Sequence, residues 1–140
     1  LDEYEEGTHV STPSADSGTP SIVGTEDRLS YTKIGNAVLV SGQLGSINLS
    51  GCSGSFFITM PFVAETLADR SDYYFSLAST NNSAFGISFF YIQQAGGGSA
   101  TFQVNARMTD GTNNTNVATL LASAGTFDIN IAGMHYKTSA

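Results

Sequence analysis

Charge is the scarcest property of this chain. Asp, Glu, Lys and Arg make up 12% of its 140 residues, about half the ~25% usual for soluble domains. Basic residues are scarcest of all. Arg28, Lys33, Arg70, Arg107 and Lys137 lie scattered among twelve acids, for a net charge of −7. A nucleic-acid surface needs Lys and Arg in clusters, so no nucleic-acid partner is expected. A single cysteine, Cys52, excludes an intramolecular disulfide. No apolar run reaches about 18 residues, so neither a transmembrane helix nor membrane insertion is expected. No basic segment leading into an apolar one opens the chain, so no secretory signal is expected. Tryptophan is absent and prolines number three. The chain opens on Leu rather than Met, as a fragment or processed product of a longer protein would.

Constellations that carry chemistry are equally sparse. His9 and His135 lie far apart and form neither HExxH nor HxH, the spacings that put two imidazoles on one metal. No GxSxG nucleophile elbow exists. Ala95-Gly96-Gly97-Gly98-Ser99 lies between two strand-like runs and has no P-loop Lys, so it reads as a hairpin loop. Cys52, in Ser-Gly-Cys-Ser-Gly, has no basic neighbour in sequence and reads as a small apolar residue packed under a loop. Asp2, Glu3, Glu5 and Glu6 lack the spacing that folds one loop around calcium; they read as a solvated or interface segment. No catalytic residue, no metal ligand and no cofactor is expected, and the chain reads as a non-enzyme.

What fills the sequence is serine, threonine, asparagine and glycine, with 15 glycines, around short runs of period two. Tyr31-Thr32-Lys33-Ile34 and Ala37–Leu44 flank Gly35-Asn36. Val38, Val40 and Leu44 alternate with Leu39, Ser41 and Gln43, as a pleated strand requires. Gly35 and Asn36 tolerate the positive φ of a tight hairpin turn. Further strands are expected at Ser55–Met60, Tyr73–Ala78, Phe85–Ile92, Ala100–Met108 and Thr126–Tyr136. In the third of these, Phe85, Ile87, Phe89 and Tyr91 fall on one face. In the fourth, Phe102, Val104, Ala106 and Met108 point inward, with Thr101, Gln103, Asn105 and Arg107 outward. No stretch keeps a 3.6-residue period. The spacing predicts an all-β fold: an antiparallel β-sandwich, jelly-roll-like, of about eight strands. Residues 1–28, interrupted by Pro13 and Pro20 and holding seven of the acids, read as an acidic lead-in with little regular structure. Residues 29–140 read as the sandwich domain.

Binding is the functional idea the residues leave open. Sugars are held by aromatic faces and by amide and carboxylate groups. The polar loops supply Asn81, Asn82, Asp110, Asn113 and Asn114, and Tyr91 supplies a ring. These six are the candidate ligand-binding residues. Asn, Gly and Ser are also what turns require in any case. Strands that read apolar on both faces, and nine phenylalanines, leave more apolar surface than one small core needs. Surplus of that kind is buried between subunits.

Two blocks carry a resemblance. Tyr31-Thr32-Lys33-Ile34-Gly35-Asn36, before its valine-rich strand, resembles the distal domains of bacteriophage tail fibres and related virion fibres. The opening Leu1-Asp2-Glu3-Tyr4-Glu5-Glu6-Gly7-Thr8 resembles the start of the same domains. The chain departs from that pattern directly afterwards, reading His9-Val10-Ser11-Thr12-Pro13 where such domains often continue with Trp and Thr-Pro. The resemblance implies a virion location, a homotrimer joined to the rest of a fibre, and contact with a host-surface glycan or protein receptor. It equally implies a purely structural alternative, a trimerisation, capping or capsid-decorating domain without a ligand. It implies no catalytic residues.

Overall fold

The computed structural model of the chain describes residues 3–66, 75–80, 85–95 and 98–138. Ten strands and one helical turn follow in order: β1 (Tyr4–Val10), β2 (Pro13–Ser17), β3 (Arg28–Ile34), β4 (Ala37–Asn48), β5 (Ser53–Thr59), β6 (Phe75–Thr80), β7 (Ile87–Gln94), β8 (Thr101–Met108), β9 (Asn113–Asn114), α1 (Val117–Leu120) and β10 (Thr126–Lys137). The strands form one curled antiparallel sheet in the order β1-β3-β4-β10-β6-β7-β8-β5-β2, with β9 beside β8. Its two halves face each other as an all-β antiparallel sandwich. Alternating apolar residues turn inward from both halves, which gives each strand one buried face.

The β3–β4 hairpin follows the sequence reading closely. Ile34 pairs with Ala37 across a two-residue turn, and Gly35 takes φ 59°, as the first position of a type II′ turn demands. Two differences have clear causes. In β7 the register shifts between Ile87 and Phe89, so that Ser88 is an extra residue. This bulge turns Ile87 into the core with Phe90 and Ile92, away from Phe89 and Tyr91. An alternation count has no way to see a one-residue bulge. The second difference is in the stretch read as a lead-in. It contributes β1 and β2, which with the two-residue β9 add to the seven strands located from the sequence. Both are polar and largely exposed, so they lack an apolar alternation, and Pro13 is tolerated because it opens an edge strand.

β1 and β2 lie at opposite ends of the sheet order but are separated in the chain only by Ser11 and Thr12. The sheet therefore curls until its edges meet at this link. Ser11 N–H donates to the Asp27 carbonyl at 2.7 Å, and its hydroxyl donates to the Thr59 carbonyl at 2.9 Å. Thr12 N–H donates to Thr59 Oγ1 at 2.9 Å, and Thr59 N–H donates back to the Thr12 carbonyl at 3.2 Å. His9 Nε2 lies 3.0 Å from Thr59 Oγ1. Ser11 is buried, and its polar groups are satisfied across the seam.

Inside, Phe56, Phe90, Phe102, Phe127 and Tyr136 are fully buried. Phe127 on β10 packs against two rings of the facing layer, its centroid 6.4 Å from that of Phe56 on β5 and 5.9 Å from that of Phe90 on β7. Edge and tilted contacts of this kind add about 0.5–1.5 kcal/mol per pair beyond area burial. Tyr136 packs on Phe102 at 5.1 Å, and its hydroxyl accepts from Phe62 N–H and donates to the Phe62 carbonyl, both at 3.0 Å. Burial pushes this phenol up to about 12, against a smaller opposing effect of the Phe62 backbone. Where β4 carries an extra residue opposite β10, Ser46 adopts φ 50°. Its N–H donates to Asp128 Oδ1 at 2.9 Å, which holds a conformation that costs non-glycine residues about 1–3 kcal/mol.

Two outcomes are expected. Tyr136→Phe leaves both polar groups of Phe62 without their partner and should cost about 1–3 kcal/mol in denaturant unfolding; an unchanged midpoint would show that water replaces the phenol. The second concerns pH. Desolvation holds His9 below its ordinary value of 6.5, outweighing the opposing hydrogen bond to the Thr59 backbone. As pH falls through that value the unfolded chain takes up the proton first. Stability is thus complete above the ordinary pKa and declines below it. Unfolding at about pH 7.5 and about pH 5.5 should show that loss, and His9→Gln should reduce it.

Candidate functional site

The outward face of β6, β7 and β8 carries the candidate site. Pairing across these strands sets the side chains in rows. Leu77 lies opposite Tyr91, Tyr91 opposite Asn105, and Phe89 opposite Arg107. Arg107 in turn lies opposite Asn113 on β9. Neighbouring strands are about 4.8 Å apart, so each row brings its members within contact range. A shallow hollow of about 450 Å³ is lined by Leu77, Phe89, Tyr91, Gln93, Arg107 and Asn113. A second, of about 320 Å³, shares Leu77 and Phe89 and extends towards Asn130 and Ala132. The two adjoin as one groove with an apolar floor, amides at its margins and, among the described residues, one cation, Arg107. Among the described residues no carboxylate lines it.

Leu77 is 66% exposed, an unusual state for leucine in the middle of a sheet. Arg107 is fixed from one side only. Its Nη1 donates to the Gly111 carbonyl at 2.6 Å, and among the described residues no carboxylate pairs with it. Beneath the groove lies Asn105. It sits on the outward face between Gln103 and Arg107 but is fully buried. Neither its Oδ1 nor its Nδ2 has a hydrogen-bond partner, a state that costs a buried amide about 1–3 kcal/mol.

The sequence-derived candidates divide into three groups. Tyr91 and Asn113 come together in the groove. Asp110 and Asn114 belong instead to the turns beside β9. Asp110 Oδ1 accepts from Thr112 N–H at 2.9 Å and from the Thr112 hydroxyl at 2.6 Å, and these bonds hold its carboxyl below the ordinary carboxylate value. Asn114 Oδ1 accepts from Asn116 N–H at 2.8 Å. Both side chains are thus engaged as turn formers. Asn81 and Asn82 fall outside the described residues. Sequence reasoning passed over Leu77, Phe89, Gln93 and Arg107 as site residues. The available signal was a strand with aromatic residues at successive outward positions, next to an outward arginine.

Elsewhere the groups that could support chemistry stay apart. His9 lies at the seam and His135 is exposed on β10. Among the described residues no three of His, Cys, Asp and Glu come together as metal ligands would. Cys52 is buried. In the acidic opener, Tyr31 donates to Glu5 at 2.7 Å and Tyr4 to Glu6 at 2.5 Å. Each carboxylate raises the pKa of its phenol. On the opposite layer, a hollow of about 280 Å³ is lined by Thr32, Ile34, Ala37, Val38, Leu39 and His135. Ile34 and Leu39 there are about half exposed, at 52% and 51%.

No protein-family model matches the sequence, and no curated protein matches it. Among solved structures, the Dettilon tailspike protein superposes on 96% of this chain with a TM-score of 0.69 and 16% sequence identity. The chain spans 24% of that protein's length. At this identity the likeness is one of fold: the curled sandwich described above is similar to one part of a tailspike protein.

Proposed function

We propose that this chain is a non-enzymatic module of a bacteriophage virion fibre, located on the virion, that contacts a host-surface glycan through the outward groove of β6, β7 and β8. The observation that carries this reading is the groove itself. Leu77, Phe89 and Tyr91 offer an apolar floor for the C–H face of a sugar, and Gln93 and Asn113 offer amides for its hydroxyls. Similarity of fold to part of a tailspike protein supports a tail-associated role. The two sequence blocks that resemble tail-fibre domains support it further.

The module acts as a homotrimer within a longer fibre. Ile34 and Leu39, exposed on the layer opposite the groove, are apolar surface that a subunit contact would cover. With three grooves on one particle, weak single contacts sum to useful avidity. The same exposed patch favours the second reading, a domain that only trimerises or caps a stalk.

Light scattering on a sizing column should give three times the chain mass of 14.7 kDa; a monomer would overturn the trimer. On an array of bacterial surface polysaccharides the chain should bind a subset, and Tyr91→Ala should weaken that binding about tenfold. A folded trimer that binds nothing on the array would leave the structural reading in its place.

A further inference from the structure

We infer that the groove selects an acidic saccharide, a glycan unit whose carboxylate is held by Arg107 while its ring lies on Phe89 and Tyr91. The inference rests on the glycan reading above and adds the chemical class.

Three observations converge on it. The first is position. Phe89 and Arg107 are directly paired across β7 and β8, so guanidinium and ring stand about 5 Å apart at their bases on one face. A pyranose stacked on the ring at Phe89 or Tyr91 presents its equatorial substituents sideways. A carboxylate among them falls within reach of the arginine. The second is vacancy of charge. Arg107 is one of five basic residues in a chain of net charge −7. Arginine has five N–H donors in a rigid fork that matches a carboxylate. The Gly111 carbonyl engages Nη1, which orients the fork without neutralising it. The third is surroundings. No described carboxylate lines the groove, so a bound anion meets amides and apolar carbon rather than like charge.

The overall negative charge of the chain does not oppose this. At physiological ionic strength charges beyond about 8 Å are largely screened. A charge-assisted bidentate hydrogen bond acts at contact distance and is about twice as strong as a neutral one. A neutral sugar in the same place would leave the guanidinium partly desolvated without a counter-charge, which disfavours it. Selectivity for the acid thus comes from both attraction and avoided cost.

The test uses the 140-residue chain and paired ligands. Oligosaccharides carrying a uronic or ulosonic acid are printed beside the same oligosaccharides with the carboxyl reduced to an alcohol. Sulfated and phosphorylated glycans form a third set. The expected result is binding to one or more acidic members, at least tenfold weaker for the reduced twin. Arg107→Gln should abolish the difference between twins, and Arg107→Lys should restore part of it. The reduced-twin comparison needs no variant, so a folding defect in either substitution leaves the test intact. Equal binding of acid and reduced twin overturns the inference and leaves the glycan reading standing. Binding confined to sulfated or phosphorylated glycans overturns the carboxylate assignment. Absence of binding to every glycan overturns the inference together with the reading on which it rests.

Discussion

Three residues carry the continuity of the sheet. Ile129, Asn130 and Ile131 of β10 pair with Leu44, Gln43 and Gly42 of β4 on one side and with Thr80, Ser79 and Ala78 of β6 on the other. Strand pairing passes from one layer to the other through this short double ladder, and the seam at Ser11 and Thr12 closes the opposite side. Ile129 and Ile131 point into the core, and Phe127 just before them touches aromatic rings of the facing layer. Burial of these side chains therefore fixes the backbone that both halves share. The groove depends on the same stretch, because Asn130 and Ala132, at one end of the groove, belong to it. Core packing on one face of β10 sets the geometry of the groove on the other.

The two outer faces of the sandwich differ in kind. One presents Leu77, Phe89 and Tyr91 with amides and an arginine. The other presents Ile34 and Leu39, with Leu39 set between Thr32 and His135. Rings beside amides suit a small hydroxylated ligand, and half-exposed aliphatic side chains suit another protein surface.

Much of the fold was legible because β strands with one buried face advertise themselves by alternation. β8 and β10 could be read that way almost to the residue, and β4 over Ala37–Leu44, short of its end at Asn48. β1 and β2 could not, since exposed polar strands carry no alternation and their hydrogen bonds are invisible in sequence. The Ser88 bulge was hidden for a related reason: it changes the face of Ile87 without changing any residue type. The site was legible in part. Loops rich in Asn drew attention to Asp110 and Asn114, which the structure engages in turns. The groove lies instead on a strand face, where register across β6, β7, β8 and β9 brings together residues far apart in the chain. Tyr91 and Asn113 were singled out separately, but their meeting with Arg107 in one hollow was not legible, because cross-strand register follows from bulges and loop lengths rather than from composition.

The link at Ser11 and Thr12 has a kinetic side. The strands on either side of it precede their partners in the chain, with His9 opposite Leu29 and Ser14 opposite Phe57. Neither β1 nor β2 has a place to pair until the edge that receives it has formed. Such contacts raise the contact order and slow the search for the native state. A segment that precedes its partners in the chain is therefore seated only after they are. Until it is, both layers present bare strand edges of the kind on which neighbouring chains can add. Copies held close together before those edges are covered would therefore add to one another rather than fold singly.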